Sequence, residues 1–252
     1  WSQPPWDPDR LAESGYGAYR DMLRTILRHA GGVRVDHILG LFRLWWIPRG
    51  QEPGLGAYVY YDHEALVGIL VLEAQRAGAV VIGEDLGVFE PWVQGYLAER
   101  GVLGTSIMWF EQTPQGPRDP AEYRPGALAT IGTHDLPPAA GYLAGEHVTL
   151  RDSLGLLNRP VEEERELDSA ATWGILDLAR RHGLLGPDAS EQGTVEALHR
   201  LIASSPSALV GVGLVDAVGE HRIQNQPGTS REYPNWCIPL AGPDGRPVLV
   251  ED

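Results

Sequence analysis

The chain has 252 residues, enough to bury a sizeable core in one domain. Lys and Arg total 20 against 34 Asp and Glu, so the formal net charge is -14. Because such a charge repels phosphate backbones and anionic headgroups, the composition argues against binding to nucleic acid or to a membrane surface. Cys237 is the only cysteine, which excludes an intrachain disulfide and a cysteine-based metal cluster.

The beginning of the chain, at Trp1, has neither a Met nor a charged-then-apolar leader. No apolar run is long enough to span a bilayer, and no internal repeat or low-complexity tract is present. We therefore expect a cytoplasmic protein whose sequence is entered partway along a longer parent chain.

Hydrophobic spacing predicts strands that alternate with helices in the first half of the chain. Strands are predicted over 33–35, 79–82 and 104–110, and helices over 21–30, 60–77 and 91–100. The helix over 60–77 is expected to turn four side chains inward: Leu66, Ile69, Leu70 and Leu72. A glycine follows each helix, as is typical of helix C-termini.

In the second half, strands are predicted over 127–131 and 208–215. The first is expected to end in the run Gly132-Thr-His-Asp135, and the second at Asp216, which we interpret as a cap or supporting group. The polar stretch between them, from about 145 to 205, is longer than a simple crossover needs. We interpret it as two or three helices inserted into the same domain.

This order of elements predicts a parallel sheet with right-handed crossovers. Three of the strands lead into an acidic residue, which favours a barrel whose chemistry lies at the carboxyl ends of its strands. Residues 1–252 are therefore predicted to form an α/β domain, an incomplete (β/α)8 TIM barrel with about the last five βα units. The remaining strands would belong to an N-terminal barrel half of the parent chain, which this half needs as a partner.

Asp36 ends a predicted strand in the run Val33-Arg34-Val35-Asp36-His37. Side chains two residues apart on a strand share a face, so Arg34 and Asp36 should point the same way. A guanidinium beside Asp36 favours the ionised carboxylate that a nucleophile requires. A structural Arg–Asp pair at a strand end is an equally good interpretation of this spacing.

Glu84 ends an apolar strand, so its carboxyl should be partly desolvated, which favours the protonated form of a general acid. Its neighbour Asp85 better suits hydrogen-bonded support or a helix cap. One charged and one protonated carboxyl, about 5–5.5 Å apart, is the arrangement of retaining glycoside chemistry. Neighbouring strands of a barrel can supply that distance.

Asp135 provides a third carboxylate, which could bind sugar hydroxyls and stabilise positive charge on the sugar ring. The Leu-Pro-Pro run that follows it needs no side-chain cap, which weakens a capping role for Asp135. His37 and His134 could donate hydrogen bonds to hydroxyls, although a histidine at a strand end more often has a structural role. No pair of histidines has metal-ligand spacing on one helix face, so we predict no metal.

Aromatic side chains crowd the same regions, and their rings can stack on the apolar faces of sugars. They are Phe42, Trp45, Trp46, Tyr58, Trp109, Phe110 and Trp236. Trp45 and Trp46 could equally belong to the core. The run Asn225-Gln-Pro-Gly-Thr229 is a turn by composition, placed beyond the last strand, where the active-site loops of a barrel lie.

Four segments together resemble amylomaltases, the bacterial 4-α-glucanotransferases of glycoside hydrolase family 77. They are Arg34-Val-Asp36-His37 followed by Gly40-Leu-Phe-Arg43, Gly83-Glu84-Asp85-Leu86-Gly87, Thr133-His134-Asp135, and Asn225-Gln-Pro-Gly228 followed by Asn235-Trp236. Their order and spacing agree with that family over nearly the whole chain.

The resemblance implies a glycosidase-type TIM barrel in which Asp36 is the nucleophile, Glu84 the acid/base and Asp135 the transition-state stabiliser. The substrate-binding residues that we expect with it are Arg34, His37, Trp45, Asp85, His134, Asn225, Pro227 and Gly228. It also implies α-1,4-glucans and maltooligosaccharides as partners, and neither a cofactor nor a catalytic metal. Two alternatives stay open: an α-amylase-like hydrolase with the same three carboxylates, and an inactive half-barrel that only binds glucan.

Overall fold

The computed structural model of the protein describes residues 4–249 and has an α/β architecture. It divides into two compact units, Trp1–Thr105 and Ser106–Asp252. The first three and last three residues of the predicted 1–252 domain lie outside the described residues, and the identity of that domain as one partial barrel stays a prediction. Within residues 4–249, no helix is both long enough and apolar enough to cross a membrane.

The first unit alternates helices with strands. Its elements, in chain order, are α1 (Pro8–Glu13), α2 (Gly17–Leu27), β1 (Gly32–Val35), β2 (Arg43–Trp46), β3 (Ala57–Tyr60), α3 (His63–Ala77), β4 (Val80–Gly83), α4 (Trp92–Glu99) and the beginning of β5 (Gly104–Ile107). β1 and β4 pair in parallel, which confirms both predicted strands, with Val33 opposite Val81 and Val35 opposite Gly83. β2 and β3 form an antiparallel hairpin that the hydrophobic pattern does not predict.

Helix α3 packs in the core of the first unit and begins three residues later than predicted. Asp62 caps it by accepting a hydrogen bond from an N–H of the first turn, and Gly78 ends it with a φ of 63°. Leu66 and Leu70 are buried, as predicted. The prediction for Leu72 is wrong, because this side chain lies about 200° around the helix from Leu70 and is exposed.

The second unit is richer in helix. Its elements, after the end of β5, are β6 (Gln112–Thr113), β7 (Gly116–Pro117), β8 (Ala127–Thr130), α5 (Ala139–Leu143), α6 (Glu146–Ser153), α7 (Val161–Arg181), α8 (Glu191–Ala203), β9 (Leu209–Gly211) and α9 (Leu214–Val218). The strand order of its sheet is β5-β8-β9, and β8 and β9 are parallel. The three helices α6, α7 and α8 occupy the stretch that the sequence predicts to be helical.

The predicted strands of this unit are shorter than expected. The strand over 104–110 ends at Ile107, where the chain turns into a short 3-10 helix, and the strand over 208–215 ends at Gly211. Asp216 therefore lies inside α9 rather than at a strand end. It is buried, and its Oδ1 accepts the N–H of Ala139 at 2.7 Å. No side chain of the residue before α5 caps this helix, so Asp216, which is distant in the sequence, caps it instead. The interpretation of Asp216 as a cap is thus confirmed.

His221 links the first turns of α6 and α8. Its Nδ1 lies 2.7 Å from Glu146 Oε1 and its Nε2 lies 3.0 Å from Glu191 Oε1. Burial lowers the pKa of the His221 imidazole, but its hydrogen bonds to the two carboxylates outweigh burial and raise the pKa above its ordinary value. The imidazole therefore bridges two carboxylates on separate helices.

This bridge should make the stability of the second unit depend on pH. Because the pKa of His221 is higher in the folded than in the unfolded protein, protonation of His221 stabilises the fold. This contribution is complete at pH values below the unfolded-state pKa of about 6.5, and it is lost as the pH rises through the folded-state pKa. We expect His221→Gln to lower the free energy of unfolding by about 1–2 kcal/mol at pH 6, and by progressively less at pH 8 to 9. Thermal unfolding measured across that pH range is the check. His29→Gln, at an exposed position, is the control, and a His221→Gln deficit that does not change with pH would contradict the prediction.

Candidate active site

Asp36 directly follows β1 and is the more exposed member of a short ion pair. Arg34 Nη1 donates to Asp36 Oδ1 at 2.6 Å, with 58% of the Asp36 side chain and 29% of the Arg34 side chain exposed. The two side chains share a face of the strand, as the sequence predicts. The carboxylate is thus held by a cation yet accessible to a ligand.

Glu84 directly follows β4, and backbone N–H groups fix its carboxyl. Oε2 accepts the N–H of His37 at 2.8 Å, and Oε1 accepts the N–H of Leu86 at 2.9 Å. The backbone of Glu84 also continues the pairing of the strands, since its N–H donates to Val35 at 2.9 Å. The side chain is half-buried. Its orientation is therefore set by two separate stretches of backbone.

Asp36 and Glu84 stand side by side because β1 and β4 are neighbouring parallel strands. The register places Val35 opposite Gly83, so the next residue of each strand lies at the same level. Neighbouring strands are about 4.8 Å apart, which brings two carboxyl groups on one face close together. Asp36 and Glu84 each follow a strand, as predicted. The structure also shows that these two strands, β1 and β4, are hydrogen-bonded neighbours.

The turn after Asp36 has two special backbone positions. His37 has a φ of 46° and a ψ of 58°, a left-handed conformation that directs its N–H towards Glu84. At Gly83, an added Cβ would lie 2.7 Å from Cδ1 of Ile38, so only glycine lets the turn pack on β4. This contact gives a physical reason for the glycine that precedes Glu84.

Asp85 is much more buried than its neighbour Glu84. Its side chain is 2% exposed, and Oδ1 accepts the N–H of Thr105 at 2.9 Å. The Thr105 hydroxyl in turn donates to the Gly83 carbonyl at 2.9 Å. The structure therefore favours the hydrogen-bonded support that the sequence suggested, and corrects the expectation that Asp85 binds substrate directly.

The β2–β3 hairpin presents an exposed aromatic face. The register pairs Arg43 with Tyr60 and Trp45 with Tyr58, which puts these four side chains on one side of the hairpin. The Arg43 guanidinium lies 4.3 Å from the centroid of the Tyr58 ring, and Trp45 is 45% exposed. Trp46 points the other way and packs against the core. The structure thus separates the two tryptophans that the sequence left undecided.

Asp135 lies in a turn, five residues beyond the end of β8 at Thr130, and not at a strand end as predicted. Its Oδ1 accepts a hydrogen bond from Asn225 Nδ2 at 2.6 Å, and His134 Nε2 lies 3.5 Å from Oδ2. The N–H of Asn225 also donates to the His134 carbonyl at 3.1 Å. The structure therefore brings Asn225 to Asp135, 90 positions away in the sequence, and to the adjacent His134.

A folded turn supports Asn225. Gln226 is buried, and its N–H donates to Asn235 Oδ1 at 2.7 Å, while Gly228 takes a φ of 86°. Pro227 lies between them, half-buried. The exposed ring of Trp236 approaches His134, with 5.0 Å between the ring centroids. The turn predicted from composition is thus a structured support for the Asp135 cluster.

Residues 4–249 contain no group of three or more His, Cys, Asp or Glu residues that could hold a metal ion. The functional groups that the structure brings together around Asp36 and Glu84 are carboxylates, a guanidinium and backbone N–H donors.

Comparisons with known proteins agree on one family. A family model described as the glycoside hydrolase family 77 of 4-alpha-glucanotransferases matches residues 1–243. The chain is 58% identical over 259 residues to a 4-alpha-glucanotransferase of Mycobacterium tuberculosis (strain ATCC 25618 / H37Rv), covering 100% of this chain and 36% of that protein. It is 37% identical over 256 residues to a 4-alpha-glucanotransferase of Haemophilus influenzae, covering 96% of this chain and 36% of that protein.

Solved structures give the same result. The crystal structure of amylomaltase from Corynebacterium glutamicum matches with a TM-score of 0.94 and 56% identity, over 100% of this chain and 38% of that chain. Amylomaltase from Streptococcus agalactiae in complex with acarbose matches with a TM-score of 0.64 and 19% identity, over 94% of this chain and 42% of that chain, which shows a shared fold. The chain spans little more than a third of the length of these relatives. It belongs to glycoside hydrolase family 77, the 4-alpha-glucanotransferases.

Proposed function

We propose that the chain carries the catalytic carboxylates of a retaining 4-α-glucanotransferase. The enzyme would move α-1,4-glucan segments from a maltooligosaccharide or starch-type chain to the 4-hydroxyl of another glucan or of glucose. The observation that carries the proposal is the pair formed by Asp36, held by Arg34, and Glu84, held by backbone N–H groups, at the ends of neighbouring strands. A spacing of one strand suits retaining chemistry, in which the two carboxyls lie about 5–5.5 Å apart.

The first step would form a glycosyl-enzyme. Glu84 donates its proton to the glycosidic oxygen as the bond to the anomeric carbon breaks, and the Asp36 carboxylate bonds to that carbon. The leaving glucan departs with the Glu84 proton on its new hydroxyl. The short bond from Arg34 holds the attacking carboxylate in place.

The second step would transfer the bound segment. Glu84, now a carboxylate, accepts the proton of the incoming 4-hydroxyl, whose oxygen bonds to the anomeric carbon as the bond to Asp36 breaks. Asp135 would hydrogen-bond sugar hydroxyls and stabilise the positive charge of both transition states. The proposal includes contacts with substrate from a further set of residues: Arg34, His37, Trp45, His134, Asn225, Pro227 and Gly228.

The proposed architecture follows the sequence prediction. The parallel strands would belong to an incomplete TIM barrel of about five βα units, completed by an N-terminal half of the parent chain. The proposed chemistry requires no cofactor and no metal. A cytoplasmic location fits a chain with one cysteine and belongs to the same proposal.

Incubation with maltotriose tests the function. We expect glucose and longer oligomers to form while the number of reducing ends stays constant, because each transfer replaces one glycosidic bond by another. A rising number of reducing ends would instead show the α-amylase-like hydrolase. Unchanged maltotriose after long incubation would overturn the catalytic proposal and leave the glucan-binding alternative.

A further inference from the structure

A cleft of about 410 Å³ lies in the second unit, between the junction of α5 with α6 and one face of α7. We call it the α6–α7 cleft, and its lining includes Gly145, Arg165, Asp168, Ser169, Thr172 and Trp173. The volume lies within the range of about 300–1,000 Å³ that is usual for small-molecule sites. None of the lining residues has a role in the proposed catalytic machinery.

Trp173 gives the cleft a large apolar surface. The side chain is 63% exposed, although it stands in a concave part of the surface where a ligand could cover it. An indole offers a flat apolar face together with one N–H donor, which suits a ligand that is apolar on one side and polar at its edge. Leu167, on the same helix and half exposed, does not line the cleft.

A hydrogen bond to His147, which does not line the cleft, holds Asp168 in position. Its Oδ1 lies 2.8 Å from Nε2 of His147, whose ring stacks on Tyr142 with 4.3 Å between centroids. Tyr142 stacks in turn on Trp109, at 4.0 Å and with an angle of 7° between the rings. This series of packed rings fixes the carboxylate at the cleft wall, where its other oxygen can accept a hydrogen bond.

Arg165 completes the polar side of the cleft. It lies three residues before Asp168 and so on the same side of α7, and within residues 4–249 its guanidinium forms no ion pair. The guanidinium of Arg165 donates hydrogen bonds and the carboxylate of Asp168 accepts them. Together they match two neighbouring sugar hydroxyls, because a hydroxyl can both donate and accept a hydrogen bond. The mixture of one aromatic face with donors and acceptors matches a neutral polyhydroxylated ring better than an anion or an apolar ligand.

We infer that the α6–α7 cleft is a second glucan-binding site, in which a sugar ring stacks on Trp173 and its hydroxyls bond to Asp168 and Arg165. The choice of an α-glucan as ligand rests on the proposed function. The site would hold part of a long chain while another part reacts, so it would raise the affinity for long glucans and not for short ones.

Binding of maltoheptaose is measured in an Asp36→Asn background, so that the ligand is not consumed. The indole N–H resonance of Trp173, assigned from its loss in Trp173→Ala, reports on the cleft alone. We expect a saturable shift with maltoheptaose and none with the β-linked cellotetraose. Arg165→Met should weaken the affinity read from this resonance about fivefold without lowering the melting temperature, because Arg165 is exposed and, within residues 4–249, forms no ion pair that the change would break.

Leu167→Ala is the matched control, on the same helix and outside the cleft, and its affinity should equal that of the parent. The inference is overturned if maltoheptaose leaves the Trp173 resonance in place, or if Arg165→Met changes the affinity no more than Leu167→Ala does. With Asp36 intact, Trp173→Ala should raise KM for amylose and leave kcat/KM for maltotriose unchanged. Failure of transfer from maltotriose together with an intact Trp173 shift would overturn the proposed function alone.

Discussion

Replacing Asp36 by Asn should lower kcat for transfer from maltotriose by about 10,000-fold or more. An amide is neutral and does not attack an anomeric carbon, so no glycosyl-enzyme forms. The change preserves the size of the side chain, and the amide oxygen can still accept the hydrogen bond from Arg34. We therefore expect thermal unfolding to be nearly unaltered, which separates a chemical defect from a folding defect.

Two comparisons make the Asp36 test specific. Asp21→Asn is the matched control, because Asp21 is also an exposed aspartate that bonds to a neighbouring arginine, at 3.1 Å from Arg20, and it should leave transfer unaltered. Glu84→Gln should also abolish transfer from maltotriose. A donor with a fluoride leaving group, which needs little protonation, should restore glycosyl-enzyme formation in Glu84→Gln but not in Asp36→Asn. Transfer by Asp36→Asn within tenfold of the parent would rule out Asp36 as the nucleophile.

Replacing Gly141 by Ala should be the most destabilising single change that the second unit offers among the glycines described. Gly141 lies in α5, and an added Cβ would stand 2.1 Å from the carbonyl oxygen of His221. The obstacle is backbone, so it cannot turn aside as a side chain could, and α5 must move instead. That movement would disturb the stacking of Tyr142 and the cap that Asp216 provides to Ala139. We expect a loss of about 3 kcal/mol or more in the free energy of unfolding.

The same substitution in another helix provides the control for Gly141. Gly68 lies in the interior of α3, and nothing stands within 4 Å of an added Cβ there. Alanine at that position should stabilise the protein by about 0.5–1 kcal/mol, because it restricts the unfolded chain and favours helix. Denaturant unfolding of both variants gives the comparison. Equal effects of the two changes would show that the close approach of α5 to His221 is not rigid.

The two carboxylates of the first unit could be predicted from sequence because the evidence for them is local. Asp36 and Glu84 each follow a short apolar run, and the end of a strand is visible in the pattern itself. That β1 and β4 are direct neighbours could not be read from the same pattern, since nothing in either run specifies its partner. The hydrogen bonds from backbone N–H groups to Glu84 could not be predicted either, because every non-proline residue has such a donor whatever its side chain.

The features that sequence analysis placed wrongly or left undecided depend on contacts between distant positions. Asp216 looked like the end of a strand, whereas its partner Ala139 lies 77 positions away and fixes it as a helix cap. Leu72 is as apolar as Leu70, and only the side of α3 that meets the core distinguishes them. Trp45 and Trp46 are adjacent residues of the same type, and the pairing of the β2–β3 hairpin decides which of them faces solvent. Tertiary packing, not residue type, decides each of these cases.

The two hydrogen bonds that hold Glu84 have an entropic consequence for the proposed catalysis. A glutamate loses up to about 1.5–2 kcal/mol of rotamer freedom when it is fixed in one position. At Glu84 the N–H groups of His37 and Leu86 impose that loss when the chain folds. In the proposed mechanism, a substrate that arrives later meets a carboxyl already confined to one direction, so none of its binding energy is consumed in ordering the proposed proton donor.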